Sequence, residues 1–281
     1  MIVGLLLAAG GFGAGVFGSL LGLGGGILIV PLLTVGFGLG FREAVGVSLV
    51  CVIVTSSAAA GVFLERHVAN LRLGMLLEVF TASGALLGGL VAFLLPERVL
   101  AALFAILLAY TAISMARRGR ATASPAAPLR GAGSSVPADD PPDDPPAPTL
   151  ADVVAGPGYR PRHLVAGAGG SLGAGILSAL LGVGGGIVKV PLMHLVMGVP
   201  LKVATATSNL MIGVTAAASA VVYLLRGGID PYVAGPTAVG VFVGAMAGSR
   251  LAARIEVRVL RLLFVGVIAL TAAQMTLRAL G

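Results

Sequence analysis

Charge is the scarcest ingredient of this sequence. Of 281 residues, 18 are Lys or Arg and 11 are Asp or Glu, 10% in all, against about 25% in an ordinary soluble domain. Lys, Glu, Arg and Asp make up most of a wetted protein face, so this shortage excludes a soluble globular enzyme of this size. Cysteine is nearly absent. Cys51 stands alone, which excludes a disulfide framework and a cysteine-based metal site. The basic residues are scattered singly between apolar blocks, without a basic stripe or interleaved aromatics, so the pI near 10.5 does not point to nucleic acid as a partner. No metal cluster, nucleotide-binding loop or hydrolytic triad is recognisable, so neither a cofactor nor an enzymatic reaction is expected.

What the chain has in quantity is apolar sequence, 57% of it, with 43 glycines. It reads as an all-α, polytopic integral membrane protein whose first partner is the lipid bilayer. A helix crossing the hydrocarbon core needs about 20 apolar residues, within a range of roughly 17–25. Blocks with few or no charges cover residues 1–42, 44–64, 73–95 and 99–116, and the series returns at 164–197, 203–225, 232–249 and 262–277. The first block lacks the basic start of a signal peptide and runs far past an h-region, so it is expected to remain part of the fold.

Between the two series the composition changes. Residues 117–162 are rich in Pro, Ala, Gly and Asp and hold five of the eleven acids: Asp139, Asp140, Asp143, Asp144 and Asp152. Such a stretch has no apolar periodicity to bury and is expected to be a disordered, solvated linker. Arg117, Arg118, Arg120, Arg160 and Arg162 flank it and put it in the cytoplasm by the positive-inside bias. The chain thus divides into a first transmembrane repeat (1–116), the linker (117–162) and a second repeat (163–281).

The halves are copies of one another. Residues 13–31 read GAGVFGSLLGLGGGILIVP and residues 173–191 read GAGILSALLGVGGGIVKVP, a shift of 160 residues. Without a gap, the same shift carries Gly38 to Gly198, Arg42 to Lys202, Ser48 to Ser208, Thr55 to Thr215 and Gly84 to Gly244. Duplication of this kind marks many secondary transporters, whose substrate site lies between the repeats near the bilayer midplane. Each half offers five apolar elements, the second too short to span alone. If that element is re-entrant, there are eight crossings and the halves are parallel. If it crosses with its neighbours, there are ten and the halves are inverted. The last loop, with Arg250, Arg254, Arg258 and Arg261, looks cytoplasmic, whereas its counterpart has only Arg98 opposed by Glu97, which favours inversion.

The glycine runs at 22–26 and 182–186 are the most specific feature. Each glycine costs a helix about 1 kcal/mol relative to Ala, and inside a bilayer an unwound backbone is tolerated only where it lines a cavity or is buried in protein. A half-helix starting at Gly24, Gly25 and Gly26, or at Gly184, Gly185 and Gly186, would aim free N–H groups and the positive end of its dipole into the protein. That is an anion site without side-chain charge. The competing role for the glycines is close helix crossing.

Paired GxGGG-x4-P modules, one beginning each half of a small multi-spanning protein, resemble the TauE/SafE, or sulfite exporter, family of membrane transporters. The resemblance covers nearly the whole chain outside the linker. It implies transport of small sulfur-containing anions, such as sulfite or organosulfonates, across the cytoplasmic membrane. The acidic linker departs from the family's compact pattern.

Several polar side chains inside the apolar blocks could join such a site. Ser48, Thr205, Ser208 and Asn209 form a set of neutral donors suited to a partly dehydrated oxyanion, with helix–helix hydrogen bonding as the alternative. Lys189, where the first half has Ile29, could supply fixed positive charge or snorkel to a surface. Glu78, two turns into its block, is a candidate proton acceptor, and His194 could titrate near neutral pH. Thr55, Ser56, Thr215 and Cys51 read as packing residues.

The sequence therefore points to a secondary transporter, an exporter of small anions, coupled to a proton or sodium ion. The alternatives are a passive anion channel and a non-transporting assembly protein; substrate, direction, coupling ion and oligomeric state stay open. Replacing residues 120–158 with a Gly/Ser linker of equal length should leave folding and flux unchanged, as measured by membrane expression and transport in reconstituted vesicles.

Overall fold

The computed structural model describes residues 2–21, 26–65, 69–118, 154–156, 159–251 and residue 266. Among them every extended element is helical, apart from an isolated bridge between Gly156 and Tyr159. In the first half, α1 is Ile2–Leu21, α2 is Gly26–Pro31, α3 is Phe41–Glu65, α4 is Leu71–Leu94 and α5 is Glu97–Arg118. In the second, α6 is Leu164–Leu181, α7 is Gly186–Pro191, α8 is Leu201–Leu225 and α9 is Pro231–Leu251. Five of these helices (α1, α4, α6, α8 and α9) are long and apolar enough to cross a membrane.

Local chemistry sets the helix ends. The Asn70 side chain accepts the Leu73 N–H at 3.0 Å to cap α4, and Asp230 accepts the Tyr232 N–H at 2.8 Å ahead of α9. The Glu97 carboxylate accepts the Phe41 N–H at 3.3 Å, joining the starts of α3 and α5. Both short helices close on a proline, Pro31 and Pro191, and widen into a π turn, Leu32–Gly36 and Leu192–Val196. Proline lacks the N–H that would continue the α pattern, and a wider turn is one way to absorb the break.

Large apolar side chains point both ways. Ile29, Val30, Leu33, Leu49 and Phe104 are fully buried around α2 and α3, whereas Val79, Leu94, Val165 and Leu225 stand 65%, 81%, 88% and 81% exposed. Contiguous apolar surface of that kind is a liability in water and the ordinary outside of a protein in lipid, where only hydrogen-bonded helix or closed barrel can span.

The helices pair across the halves. α1 lies mainly against α9, α4 against α6, and α3 against α8. These pairings close on glycine. A Cβ on Gly84 would run into the Leu172 carbonyl and one on Gly175 into that of Thr81; one on Gly244 would strike the Phe12 carbonyl and one on Gly15 that of Val241. Under the 160-residue shift the first two contacts map onto the last two. Small residues let helix backbones meet this closely in lipid.

The same contacts give directions. Gly84 and Gly88 meet Leu172 and Ile176, so α4 and α6 run parallel; Gly74 and Gly89 meet Thr207 and Val222, so α4 and α8 do too. α6 and α8 therefore point the same way, and α7 with the segment after it carries the chain back between them. α3 and α8, whose bounds coincide under the shift, run antiparallel: Gly46 meets Gly228, and Gly213 meets Ser56.

One expectation changes. Val154 and Tyr159 fall within the stretch read as disordered linker, yet Val154 is 3% exposed and packs with Leu73, Leu77 and Met193. The Asn70 amide donates to the Val154 carbonyl at 2.9 Å and to the Tyr159 hydroxyl at 2.8 Å, and the Arg162 N–H donates to Met197 O at 2.9 Å. Average composition hid one valine and one tyrosine with a surface to cover, so the neutral linker replacement ends at residue 153. Residues 119–153 and 157–158 lie outside the described residues.

Gly175→Leu should abolish the α4–α6 contact and leave little folded protein, because overpacking typically costs about 1–3 kcal/mol and here the clash is with backbone. Gly173→Ala, with open space at its Cβ position, should raise the melting temperature slightly, since Ala in a helix gains up to about 1 kcal/mol over Gly. Thermal melts in detergent check both.

Candidate functional site

The second glycine run is unwound. α6 ends at Leu181, and Gly182, Gly184 and Gly185 take φ of 68°, 76° and 74°, a left-handed conformation that side chains resist by about 1–2 kcal/mol per residue. The Gly182 N–H donates back to Ser178 O at 2.8 Å, and Gly185 O accepts the N–H groups of Val188 and Lys189 at 3.1 and 3.0 Å. The Gly186 and Ile187 N–H groups stand at the head of α7, where helix geometry provides no acceptor within the helix. Of the first run, Gly24 and Gly25, with Gly22 and Leu23, lie outside the described residues.

Gly26, the first residue of α2, reaches the second run. A Cβ on it would sit 2.6 Å from the Gly182 carbonyl oxygen and 3.3 Å from Ser48 Oγ. The Ser48 hydroxyl donates to Gly182 O at 2.7 Å, with Gly26 O a longer 3.3 Å away. Ser48 thus ties the start of α2 to the end of α6, and its proton is committed to backbone.

Its counterpart Ser208 is placed differently. Ser208 Oγ lies 3.7 Å from the Cβ position of Gly186, fully buried, and has no hydrogen-bond partner. On the other side of the run, the Ser178 Cβ is 3.4 Å from the Cβ position of Gly185, and the Ser178 hydroxyl is likewise buried and unpartnered. Ser171, two turns back along α6, makes a third. An unmade hydrogen bond on a buried group costs about 1–3 kcal/mol, and native interiors rarely leave one without an ion, water or function to explain it.

Thr205 and Asn209 stand apart from this arrangement. Both are half-buried, and the Thr205 hydroxyl donates to Leu201 O at 2.9 Å within its own helix. His194 is exposed on the π turn after α7, its Nδ1 2.9 Å from Val199 O.

The charged residues meet. Lys189 runs beside the break, its Cε 3.6 Å from the Cβ position of Gly185. Its ammonium donates to Glu78 Oε2 at 3.2 Å and to Thr215 Oγ1 at 2.6 Å, and the Thr215 hydroxyl donates to Glu78 Oε1 at 2.7 Å, closing a triangle between α4, α7 and α8. Glu78 and Lys189 are the only buried charged side chains among the described residues. The Lys189 side chain is 1% exposed and that of Glu78 11%, so Glu78 is the less buried member. This revises two readings. Lys189 is not an isolated fixed charge, because Glu78 compensates it, and Thr215 is the polar bridge rather than packing. The signal lay in the sequence as two intramembrane charges of opposite sign, one on each half, that were never paired. Ser178 was missed because serine in an apolar helix carries no signal of its own.

Helices apolar on the outside, pairing across two halves around a buried polar centre and an unwound backbone, define a multi-pass membrane protein of the transporter class. The chain belongs to the sulfite exporter TauE/SafE family, whose model matches residues 7–275. It is similar to the probable membrane transporter protein YunE of Bacillus subtilis (strain 168), 24% identical over 261 residues that cover 90% of each chain. It is also 30% identical over 298 residues to the probable membrane transporter protein MamO of Paramagnetospirillum magneticum (strain ATCC 700264 / AMB-1); that match takes in 99% of this chain but 44% of the longer relative. No solved structure matches it.

The ion pair makes a stability prediction. Removing one partner of a buried pair typically costs about 3–5 kcal/mol, because the other charge is left uncompensated, whereas replacing both with apolar groups is often neutral. Glu78→Leu and Lys189→Met should each lower the melting temperature strongly, and the double variant should recover most of the loss. A double variant no more stable than the worse single variant would show that the two charges are not coupled.

Proposed function

We propose that the protein is a secondary transporter that exports sulfite or small organosulfonates across the cytoplasmic membrane, binding the anion at the second glycine break. The observation that carries this reading is the pair of buried, unpartnered hydroxyls, Ser178 and Ser208, on either side of the unwound run Gly182–Gly186 with Lys189 beside it. A tetrahedral or pyramidal oxyanion offers several acceptor oxygens. Two hydroxyls, the N–H groups of Gly185, Gly186 and Ile187, and a nearby ammonium are a donor set of matching sign. Gly184 supplies the turn, and Gly26 packs against Gly182 from the first run, to which Gly24 and Gly25 belong in sequence. Ser48 ties Gly26 to Gly182, and Thr205 and Asn209, apart from the break, are placed by this reading on the anion's path.

Neutral donors suit a carrier. A dehydrated anion held only by full salt bridges would leave slowly, whereas hydroxyls and backbone N–H groups give reversible binding. The family's name supplies the substrate class. The antiparallel course of α3 and α8 under the 160-residue shift, with α7 returning between α6 and α8, supports two inverted halves of five elements each. In inverted-repeat carriers, rocking one repeat against the other exposes a central site alternately to each side.

Reconstituted protein should move sulfite or ethanesulfonate into or out of vesicles with saturable kinetics. Ser178→Ala and Ser208→Ala should each weaken binding about tenfold, the loss of one hydrogen bond to a charged ligand, with normal expression. Flux without saturation would indicate a channel, and wild-type affinity in both variants would place the anion elsewhere.

A further inference from the structure

The triangle of Glu78, Lys189 and Thr215 is more than the proposed anion site needs. A lone lysine would attract an anion; a lysine already paired at 3.2 Å with a carboxylate is neutralised. Such a pair is also costly to keep, since taking both charges out of water is repaid only by good geometry and satisfied hydrogen bonds. The 160-residue shift carries Lys189 to Ile29, Glu78 to Ala238 and Thr215 to Thr55. The ion pair spans the halves, Glu78 in the first and Lys189 in the second, and the equivalent place under the shift holds Ile29 and Ala238, so the duplicated scaffold does not require the pair. Ionisable residues inside a membrane mark ion pathways and proton relays.

We infer that Glu78 is the coupling-proton site of this transporter, and that its carboxylate and the transported anion compete for Lys189. This rests on the proposed anion site and adds to it a proton that accompanies the anion, so that outward movement of the pair follows the anion's own gradient. With Glu78 ionised, its carboxylate holds the Lys189 ammonium and the break lacks its positive charge. When a proton from water binds a Glu78 oxygen, the group becomes a neutral acid. It keeps a hydrogen bond with Thr215 and releases the ammonium. Lys189, whose Cε lies 3.6 Å from the Cβ position of Gly185, then turns its charge to the anion at the break. The charge count is the same in both states: one cation and one anion, the anion being either Glu78 or the substrate. One proton and one substrate anion therefore bind together, and neither state leaves a buried charge alone. Among the described residues no other charged side chain is buried; the buried polar side chains of these helices include Ser171 and Ser178 on α6, Thr215 and Ser219 on α8 and Thr81 on α4, and the buried Tyr223 hydroxyl donates to Ala179 O. Glu78, 11% exposed against 1% for Lys189, is the less buried member of the pair.

Proton uptake on binding tests this. Ethanesulfonate keeps one negative charge across the accessible pH range, so it separates titration of the protein from that of the ligand. Calorimetry of the purified full-length protein, in buffers of different ionisation enthalpy, counts protons taken up per anion. The wild type should take up close to one proton in some window between pH 5 and 9, with affinity falling about tenfold per pH unit at its upper end. Glu78→Gln, a mimic of the neutral acid, should bind with no proton uptake and an affinity independent of pH. Wild-type binding without proton uptake anywhere in that window would overturn the inference and leave the anion site standing, as would unchanged uptake in Glu78→Gln. If neither ethanesulfonate nor sulfite binds the wild type at any pH, the anion-site reading falls, and this inference with it. Should Glu78→Gln fail to fold, the wild-type proton count decides alone.

Discussion

A backbone that leaves the helix inside a bilayer finds no water there to bond, so its N–H and C=O groups must be satisfied by protein or by a ligand. The break at Gly182–Gly186 follows from that constraint, and much of the molecule is arranged around it. The Gly182 N–H turns back to Ser178 O, the Gly182 carbonyl is held by Ser48 from the other half, and Gly185 O receives the first turn of α7. Gly26 packs so closely on Gly182 that no side chain fits there. What stays open beside the break is the pair of buried hydroxyls of Ser178 and Ser208.

The second organising fact is that two similar halves have been made unlike at their centre. Ser48 and Ser208 are related by the 160-residue shift, yet one closes a backbone contact and the other is left with an unused hydroxyl. Thr55 donates within its own helix to Cys51 O at 3.1 Å, whereas Thr215 bridges an ion pair. The scaffold contacts, by contrast, repeat: Gly84 on Leu172 and Gly244 on Phe12, Gly175 on Thr81 and Gly15 on Val241. Packing repeats between the halves, and the charged pair occupies one of the two equivalent places.

These differences decide what could be read before folding. Helical class, the two halves and the break at residue 182 follow from hydropathy, glycine cost and repetition, which are local or one-dimensional signals. The meeting of Glu78 with Lys189 joins residues 111 positions apart and depends on α4 lying parallel to α8, which no periodicity reports. Ser178 looked like any small residue in an apolar helix until Gly185 was seen against it. Val154 and Tyr159 were lost in a stretch judged by its prolines and aspartates. Burial of one or two apolar residues at a helix start is decided by tertiary contact, not by composition.

The central claim is that an oxyanion sits at the second break, between Ser178, Ser208 and Lys189. Selenite has the shape of sulfite and a heavy atom that scatters anomalously, so crystals of the protein grown with it locate the anion directly. The account predicts an anomalous peak between Ser178 and Ser208 that places the selenite oxygens within hydrogen-bonding reach of both hydroxyls. A peak confined to the surface near Arg160 and Arg162, under conditions where selenite is transported, would contradict it.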